Sequence, residues 1–141
     1  MASQNSLLID TNILVAAAYP KDVNHQQAAI FFEVYIDRDL VVPSPVLSEL
    51  FYVLLVREGY PTALGAVAHT IRTFEIVSSQ HSDYIRAIQI MRQHLDARLD
   101  LTDAMVVAIA ERLKIAEIAT FDRRDFLIVQ PKHGGSFTRL P

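Results

Sequence analysis

Short apolar runs of strand length alternate with one or two amphipathic helical segments along the whole chain. Strands that are separated by helices pair in parallel and are covered by helices on both faces. The pattern therefore predicts an α/β protein, a three-layer α/β/α domain with a central parallel sheet of about five strands. We expect strands at 7–10, 40–42, 74–77, 117–121 and 126–129, a short helix after the first strand, and further helices at about 22–36, 44–57, 61–71, 81–97 and 101–114.

Length and composition indicate one domain that spans residues 1–141, because the chain contains no repeat and no Gly/Ser linker. There is no cysteine, which excludes disulfides, thiol catalysis and thiolate metal sites. No apolar stretch approaches the ~20 residues of a membrane span. The N-terminus also lacks the features of a signal peptide. We expect a cytoplasmic protein with no membrane association.

The formal charge of −3, from 13 basic and 16 acidic residues, argues at face value against nucleic acid as a partner. That argument weakens if several acids hold a metal ion. Without four such acids the balance would be 13 basic against 12 acidic residues (16 − 4 = 12). Charge alone therefore leaves the partner open.

Asp10 ends the first predicted strand, in the segment SLLIDTN (residues 6–12). An aspartate there can cap the helix that follows. Ligands of parallel sheets, however, bind beyond the carboxyl ends of the strands, which is where Asp10 lies. Asp122 follows the fourth predicted strand in the same way, and its ordinary alternative is a turn aspartate. Both functions stay open for each residue.

Two further acids lie near the starts of predicted helices. Glu49 falls on the narrow polar stripe of a mostly apolar helix, where a solvent-facing side chain is the alternative. Asp103 precedes the apolar run 104–110, in which a carboxylate is costly unless it is capped, paired or bound to a metal. Helix capping is open here too, because Asp100 or Thr102 could be the N-cap, and Asp100 competes with Asp103 for a role in the site.

The joint placement of these acids favours a metal site over four separate local roles. Carboxylates held close together repel and raise one another's pKa, so such a cluster needs a cation. Oxygen ligands without His or Cys suit Mg²⁺ or Mn²⁺. We expect Asp10 and Asp103 to be the main ligands, with Glu49 and Asp122 completing the site.

At these residues the chain resembles the PIN-domain ribonucleases, particularly the VapC-type toxins of toxin–antitoxin pairs. The likeness covers almost the whole chain, and its motifs occur in the order LLIDTNILVAA, PSPVLSELFYVL, LDLTDAMVVAIA and IATFDRRDF. The resemblance implies that the catalytic and metal-binding acids are Asp10, Glu49, Asp103 and Asp122, with Asn12 and Thr120 as supporting polar residues.

The resemblance also implies a PIN-like sheet with adjacent first and fourth strands, and Mg²⁺- or Mn²⁺-dependent hydrolysis of RNA phosphodiester bonds. It further implies a homodimer and a small antitoxin protein as partner. One or two bound ions would lower the pKa of a water molecule and stabilise the leaving oxygen. An antitoxin would cover the acids with an arginine, whose guanidinium pairs with carboxylates. Candidate contacts to RNA phosphates are Arg123, Arg124, Lys132 and His133, and a solvated charged loop is the favoured alternative for each of them.

Two other functions were weighed against this one. A phosphoryl-transfer domain, either a haloacid-dehalogenase-like phosphatase or a receiver, is disfavoured because DTN lacks a second aspartate two positions on. The paired acids and late lysine of a receiver are also missing from their places. The second alternative is a PIN-like module that binds RNA or protein without cleaving it. The sequence does not exclude this function, although the presence of all four acids argues against it.

Overall fold

The computed structural model describes residues 3–122 and 138–141. The elements in chain order are β1 (Ser6–Ile9), α1 (Thr11–Ala18), α2 (His25–Val34), β2 (Asp39–Pro43), α3 (Ser44–Glu58), α4 (Tyr60–Thr73), β3 (Glu75–Val77), α5 (His81–Gln93), a 3₁₀ turn (Leu95–Ala97), α6 (Leu101–Leu113), β4 (Glu117–Ala119) and β5 (Thr138–Leu140).

The five strands form one parallel sheet in the order β3-β2-β1-β4-β5, which confirms the predicted α/β class. The adjacency of the first and fourth strands is confirmed as well, because Leu8 of β1 lies opposite Val41 on one side and Ile118 on the other. The edge strand β5 lies at Thr138–Leu140. The strand predicted at 126–129 lies outside the described residues.

The core explains why these segments form these elements. Leu7, Leu8 and Ile9 of the central strand β1 are completely buried, as expected for a parallel strand covered on both faces. Helix α6 is buried over its whole middle, from Ala104 to Glu111, as its unbroken apolar run predicted. Helices α1 to α4 pack among themselves, α5 packs on α6, and α3 also contacts α6. None of the helices in the described part of the chain is long and apolar enough to cross a membrane.

The segment Ser44-Pro45 predicts a helix with Ser44 as its N-cap and Pro45 as its first helical residue, but helix α3 starts one residue earlier. Its N-cap is Pro43, whose extended backbone (φ −66°, ψ 140°) passes directly from β2 into the helix. Ser44, the predicted cap, is instead the first helical residue. Its hydroxyl accepts a hydrogen bond from the backbone N–H of Ser79 at 3.0 Å, because the loop after β3 approaches it. A tertiary contact has replaced the local cap.

Two other helix boundaries also differ from prediction. Helix α2 begins after Asn24 and not at Asp22, whose side chain accepts a hydrogen bond from the backbone N–H of Asn24 at 2.8 Å. This short polar turn delays the helix. Helix α5 ends at Gln93, and the predicted remainder forms a separate 3₁₀ turn. That turn ends at Arg98 in the left-handed region (φ 51°), which a continuing helix does not permit.

The order of the strands reverses direction between β1 and β4. From β1 the chain moves outward to β2 and β3, then returns to build β4 and β5 on the other side. The loops that leave β1 and β4 therefore diverge, and a crevice opens at the carboxyl ends of these two strands. In open α/β sheets this switch point is where ligands bind. Asp10 and the residues after β4 lie there.

Candidate functional site

Asp10 follows β1, caps helix α1 and is almost completely buried, with 3% of its surface exposed. Its Oδ1 accepts a hydrogen bond from the backbone N–H of Thr11 at 2.8 Å, and its Oδ2 accepts one from the hydroxyl of Thr120 at 2.9 Å. The capping function is therefore confirmed. Capping does not exclude metal binding by Asp10, because each carboxylate oxygen carries two acceptor sites and capping uses one of them.

The electrostatic environment of Asp10 disfavours its negative charge. Burial is the main reason that the pKa of Asp10 rises from 3.8 to about 7, and the nearby charges of Glu49 and Asp122 make smaller contributions to the same shift. The two hydrogen bonds from Thr11 and Thr120 lower the pKa but do not offset burial. A buried carboxylate next to two like charges is the arrangement that a bound cation would stabilise.

Thr120 and Asn12 connect the end of β4 to the start of α1. The Asn12 amide donates to the Thr120 hydroxyl at 2.9 Å, and its carbonyl oxygen accepts from the backbone N–H of Phe121 at 3.0 Å. The Thr120 hydroxyl also accepts from the backbone N–H of Asp122 at 3.0 Å. Thr120 thus connects the Asp10 carboxylate to the Asp122 backbone.

The other predicted acids come from the two helices that contact each other, α3 and α6. Glu49 is half-buried in the second turn of α3. Asp103 is half-buried in the first turn of α6. Asp100 is the N-cap of α6, and its Oδ1 accepts the backbone N–H of Asp103 at 2.8 Å. The choice of cap that the sequence left open is thereby decided for Asp100 and against Thr102.

The structure brings Glu49 and Asp122 within electrostatic reach of Asp10. In residues 3–122 and 138–141 it does not gather three carboxylate or imidazole groups into one set that could hold a metal ion. The full four-acid cluster therefore stays a prediction. Arg123, Arg124, Lys132 and His133, the candidate RNA contacts, lie outside the described residues.

A small cavity of about 180 Å³ opens beside Asp10. Its walls include Thr11, Asn12, Glu49 and Phe121. A larger cavity of about 540 Å³ lies between α1, α2 and α4 and is mostly apolar, with no Asp or Glu among its lining residues. Since Glu49 and the two residues that follow Asp10 line the smaller cavity, we take that one as the functional site.

Sequence reasoning missed two side chains at this cavity, Arg57 and Asn24. Arg57 could have been found, because it lies eight residues after Glu49 and so falls on the same face of α3. Asn24 gives no such signal, since only the tertiary approach of the loop before α2 brings it to the site.

Comparisons with known proteins agree with this architecture. Residues 7–130 match the model of the PIN domain family. The chain is 30% identical over 137 residues to ribonuclease VapC26 of Mycobacterium tuberculosis, covering 96% of this chain and 100% of that one.

Solved structures share the fold at lower identity. The crystal structure of the sarcin–ricin loop cleaving toxin VapC20 of Mycobacterium tuberculosis superposes with a TM-score of 0.76 at 19% identity, covering 84% of this chain and 92% of that one. A toxin–antitoxin complex from Klebsiella pneumoniae gives a TM-score of 0.63 at 20% identity, covering 87% and 92%. The phosphatase and receiver alternatives do not fit these matches. The chain belongs to the PIN-domain ribonuclease family, among its VapC-type members.

Proposed function

We propose that this protein is a Mg²⁺- or Mn²⁺-dependent endoribonuclease that hydrolyses RNA phosphodiester bonds, and that it is the toxin of a toxin–antitoxin pair. Family membership supports nuclease chemistry, and the 30% identical relative is named a ribonuclease. The observation that carries the proposal is Asp10. It is a buried carboxylate at the switch point of the sheet, with a raised pKa and two further acids close by.

The donor set fits a hard divalent cation. Asp10, Glu49, Asp103 and Asp122 offer only carboxylate oxygens, which Mg²⁺ and Mn²⁺ prefer. In this proposal Asp10 and Asp103 hold the ion, and Glu49 and Asp122 complete its surroundings. A bound ion would supply Lewis-acid activation of a water molecule and neutralise charge on the phosphodiester.

The protein's own contribution is to place and hold these oxygens. Thr120 fixes Oδ2 of Asp10 by donating a hydrogen bond, and the backbone N–H of Thr11 fixes Oδ1. Asn12 locks the turn after β4 onto α1, so that Asp122 cannot move away independently. Rigid elements and a hydrogen-bonded shell of this kind are what oriented metal ligands require.

The test compares RNA cleavage by the purified wild type with that of Asp10→Asn and Asp103→Asn, with and without Mg²⁺. We expect cleavage only with the metal, and a loss of at least ~100-fold in each variant, because an amide is a far weaker metal ligand than a carboxylate. The exposed Asp37→Asn is the matched control and should cleave like the wild type. Full Mg²⁺-dependent activity in either site variant would remove the assignment.

The same proposal includes three partners: RNA as substrate, a small antitoxin protein that covers the acids, and a second copy of the chain in a homodimer. The similar structure from Klebsiella pneumoniae is a toxin–antitoxin complex, which supports the antitoxin. Light scattering of the purified chain tests the dimer, and a monomer at micromolar concentration would contradict it. We propose that the protein acts in the cytoplasm, where its RNA substrates lie.

A further inference from the structure

The small cavity beside Asp10 has an acid at one end and a cation at the other. Glu49, Val53 and Arg57 all line it, and their spacing of four residues places them on one face of α3. At a rise of 1.5 Å per residue, Glu49 and Arg57 are separated by about 12 Å along the helix. One wall of the cavity therefore runs from the candidate catalytic acids to a guanidinium group.

The contacts of Arg57 leave its guanidinium available. Its Nη1 lies 3.5 Å from Oδ2 of Asp22, its side chain is 48% exposed, and it stands over the Tyr19 ring at 5.9 Å from the centroid. A long, exposed ion pair of this kind contributes little to stability. Asp22 has a second partner, the backbone N–H of Asn24 at 2.8 Å, so it stays hydrogen-bonded when Arg57 turns away. A planar guanidinium is well suited to a phosphate, which it can bind through two hydrogen bonds.

Two other residues that line the cavity bear on what it can bind. Thr11 lines the cavity, and its buried Oγ1 has no hydrogen-bond partner among the described residues, an omission that normally costs stability. The half-buried ring of Phe121 lines the cavity too and offers a surface on which a base can stack. An aromatic ring and a guanidinium match the base and the phosphate of a nucleotide.

The size of the cavity restricts what it can admit. Its volume of about 180 Å³ lies below the ~300 Å³ at which sites for drug-sized ligands begin. It therefore suits one unpaired base and excludes a base pair. Proteins generally recognise RNA sequences through unpaired bases that are turned out of the stack.

We propose that this cavity binds one unpaired nucleotide of the RNA adjacent to the cleaved bond, and that Arg57 pairs with its phosphate. The inference rests on the proposed nuclease function, because it takes the acids beside Asp10 as the site of cleavage. Two acids also line the cavity, Glu49 and Asp22. In the proposal the metal offsets the charge of Glu49, and the Asn24 N–H continues to stabilise Asp22.

The test compares Arg57→Gln and Arg57→Lys with Arg72→Gln. Arg72 is a matched control, because both arginines lie in the last turn of a helix and Arg72 is exposed away from the cavity. We expect Arg57→Gln to raise KM for a single-stranded RNA roughly tenfold, with kcat changed less than about twofold. Arg57→Lys should recover part of this loss, and Arg72→Gln should leave KM unchanged.

A second measurement counts phosphate contacts directly. Affinity for the same RNA is measured against salt concentration in the Asp10→Asn background, which the proposed function makes inactive. Each lost phosphate contact lowers the slope of log K against log salt by about 0.7 for a single strand. We expect that decrease for Arg57→Gln and none for Arg72→Gln. A purely structural loss would change melting temperature without changing this slope.

The outcomes separate this inference from the proposed function. An unchanged slope in Arg57→Gln, or an equal change in Arg72→Gln, would overturn the nucleotide site while leaving cleavage intact. If the wild type binds RNA with an Arg57-dependent slope but does not cleave it, the proposed function fails and the binding site stands. If the wild type does not bind RNA at all, both fail.

Discussion

Replacing Asp10 with asparagine should make the metal-free protein more stable at neutral and alkaline pH while abolishing its activity. Burial holds the pKa of Asp10 at about 7 in the folded state, against 3.8 for the ordinary carboxyl group. Between these values the folded state binds more protons than the unfolded state. Stability is therefore greatest below pH 3.8 as far as Asp10 is concerned, and this contribution is lost as the pH rises towards 7.

The magnitude follows from the two pKa values. The shift of about three units corresponds to roughly 4 kcal/mol over the whole range, at about 1.36 kcal/mol per unit. Between pH 5 and pH 8 the integrated loss is about 2 to 3 kcal/mol, because the folded carboxyl group is still mostly protonated below pH 7. The asparagine cannot ionise, so this loss should be absent from Asp10→Asn. The variant also loses the carboxylate oxygen that accepts the hydrogen bond from Thr120. This loss costs about 1 kcal/mol of stability and does not depend on pH.

The assay is urea denaturation in EDTA at several values between pH 5 and pH 8. The free energy of unfolding of the wild type, minus that of Asp10→Asn, should fall by about 2 to 3 kcal/mol over this range. All groups other than the one at position 10 are common to both proteins, so their contributions cancel in the difference. Asp37→Asn, at an exposed position, should show the wild-type slope. Mg²⁺ at ~100 times its Kd should stabilise the wild type by about 2.7 kcal/mol. A pH-independent difference between wild type and Asp10→Asn would refute the assignment of a raised pKa to this buried group.

Other predictions concern single side chains. Thr120→Val keeps the shape but removes the hydroxyl that donates to Asp10, and should lower the rate of RNA cleavage 10- to 100-fold; wild-type kinetics would contradict it. Asp83→Asn breaks a buried ion pair, in which Arg112 donates hydrogen bonds to the two Asp83 oxygens at 2.9 and 3.0 Å. The free energy of unfolding, measured by urea denaturation, should fall by about 3 kcal/mol, and a fall of less than about 1 kcal/mol would contradict this. Gly59→Ala should cost about 1 to 3 kcal/mol, because φ 97° and ψ 176° suit glycine alone, and no atom within 4 Å would add a clash. Gly65 lies inside helix α4, and a Cβ there would also meet no atom within 4 Å, so Gly65→Ala should raise the free energy of unfolding by up to ~1 kcal/mol. If both alanine variants changed stability in the same direction, the backbone argument would be refuted.

The elements that local pattern defines were predicted well. The apolar run of β1, the unbroken apolar stretch of α6 and the parallel sheet all follow from periodicity, because burial on both faces leaves a continuous trace in the sequence. Helix boundaries were less predictable. Ser44 is a good local cap, yet its hydroxyl is taken by Ser79 from a distant loop, and the chain enters the helix one residue earlier.

The candidate site divides in the same way. The sequence could nominate Asp10 because it lies at the carboxyl end of a buried parallel strand, where ligands of such sheets bind. It could not supply the pKa of that acid, which depends on Thr120 from 110 residues away and on the approach of Glu49 and Asp122. Capping by Asp100, which the sequence left open, was likewise decided only by geometry.

The sequence by itself determined the class of fold and the identity of the candidate acids, because hydrophobic periodicity and the ends of strands are local properties. The adjacency of the first and fourth strands was implied only by the family resemblance. Tertiary structure alone decided which of those acids influence one another, which oxygens are already hydrogen-bonded, and that Arg57 shares a cavity with Glu49. The physical reason is that solvation and Coulomb energies depend on distance and burial, and these exist only once remote segments have packed together.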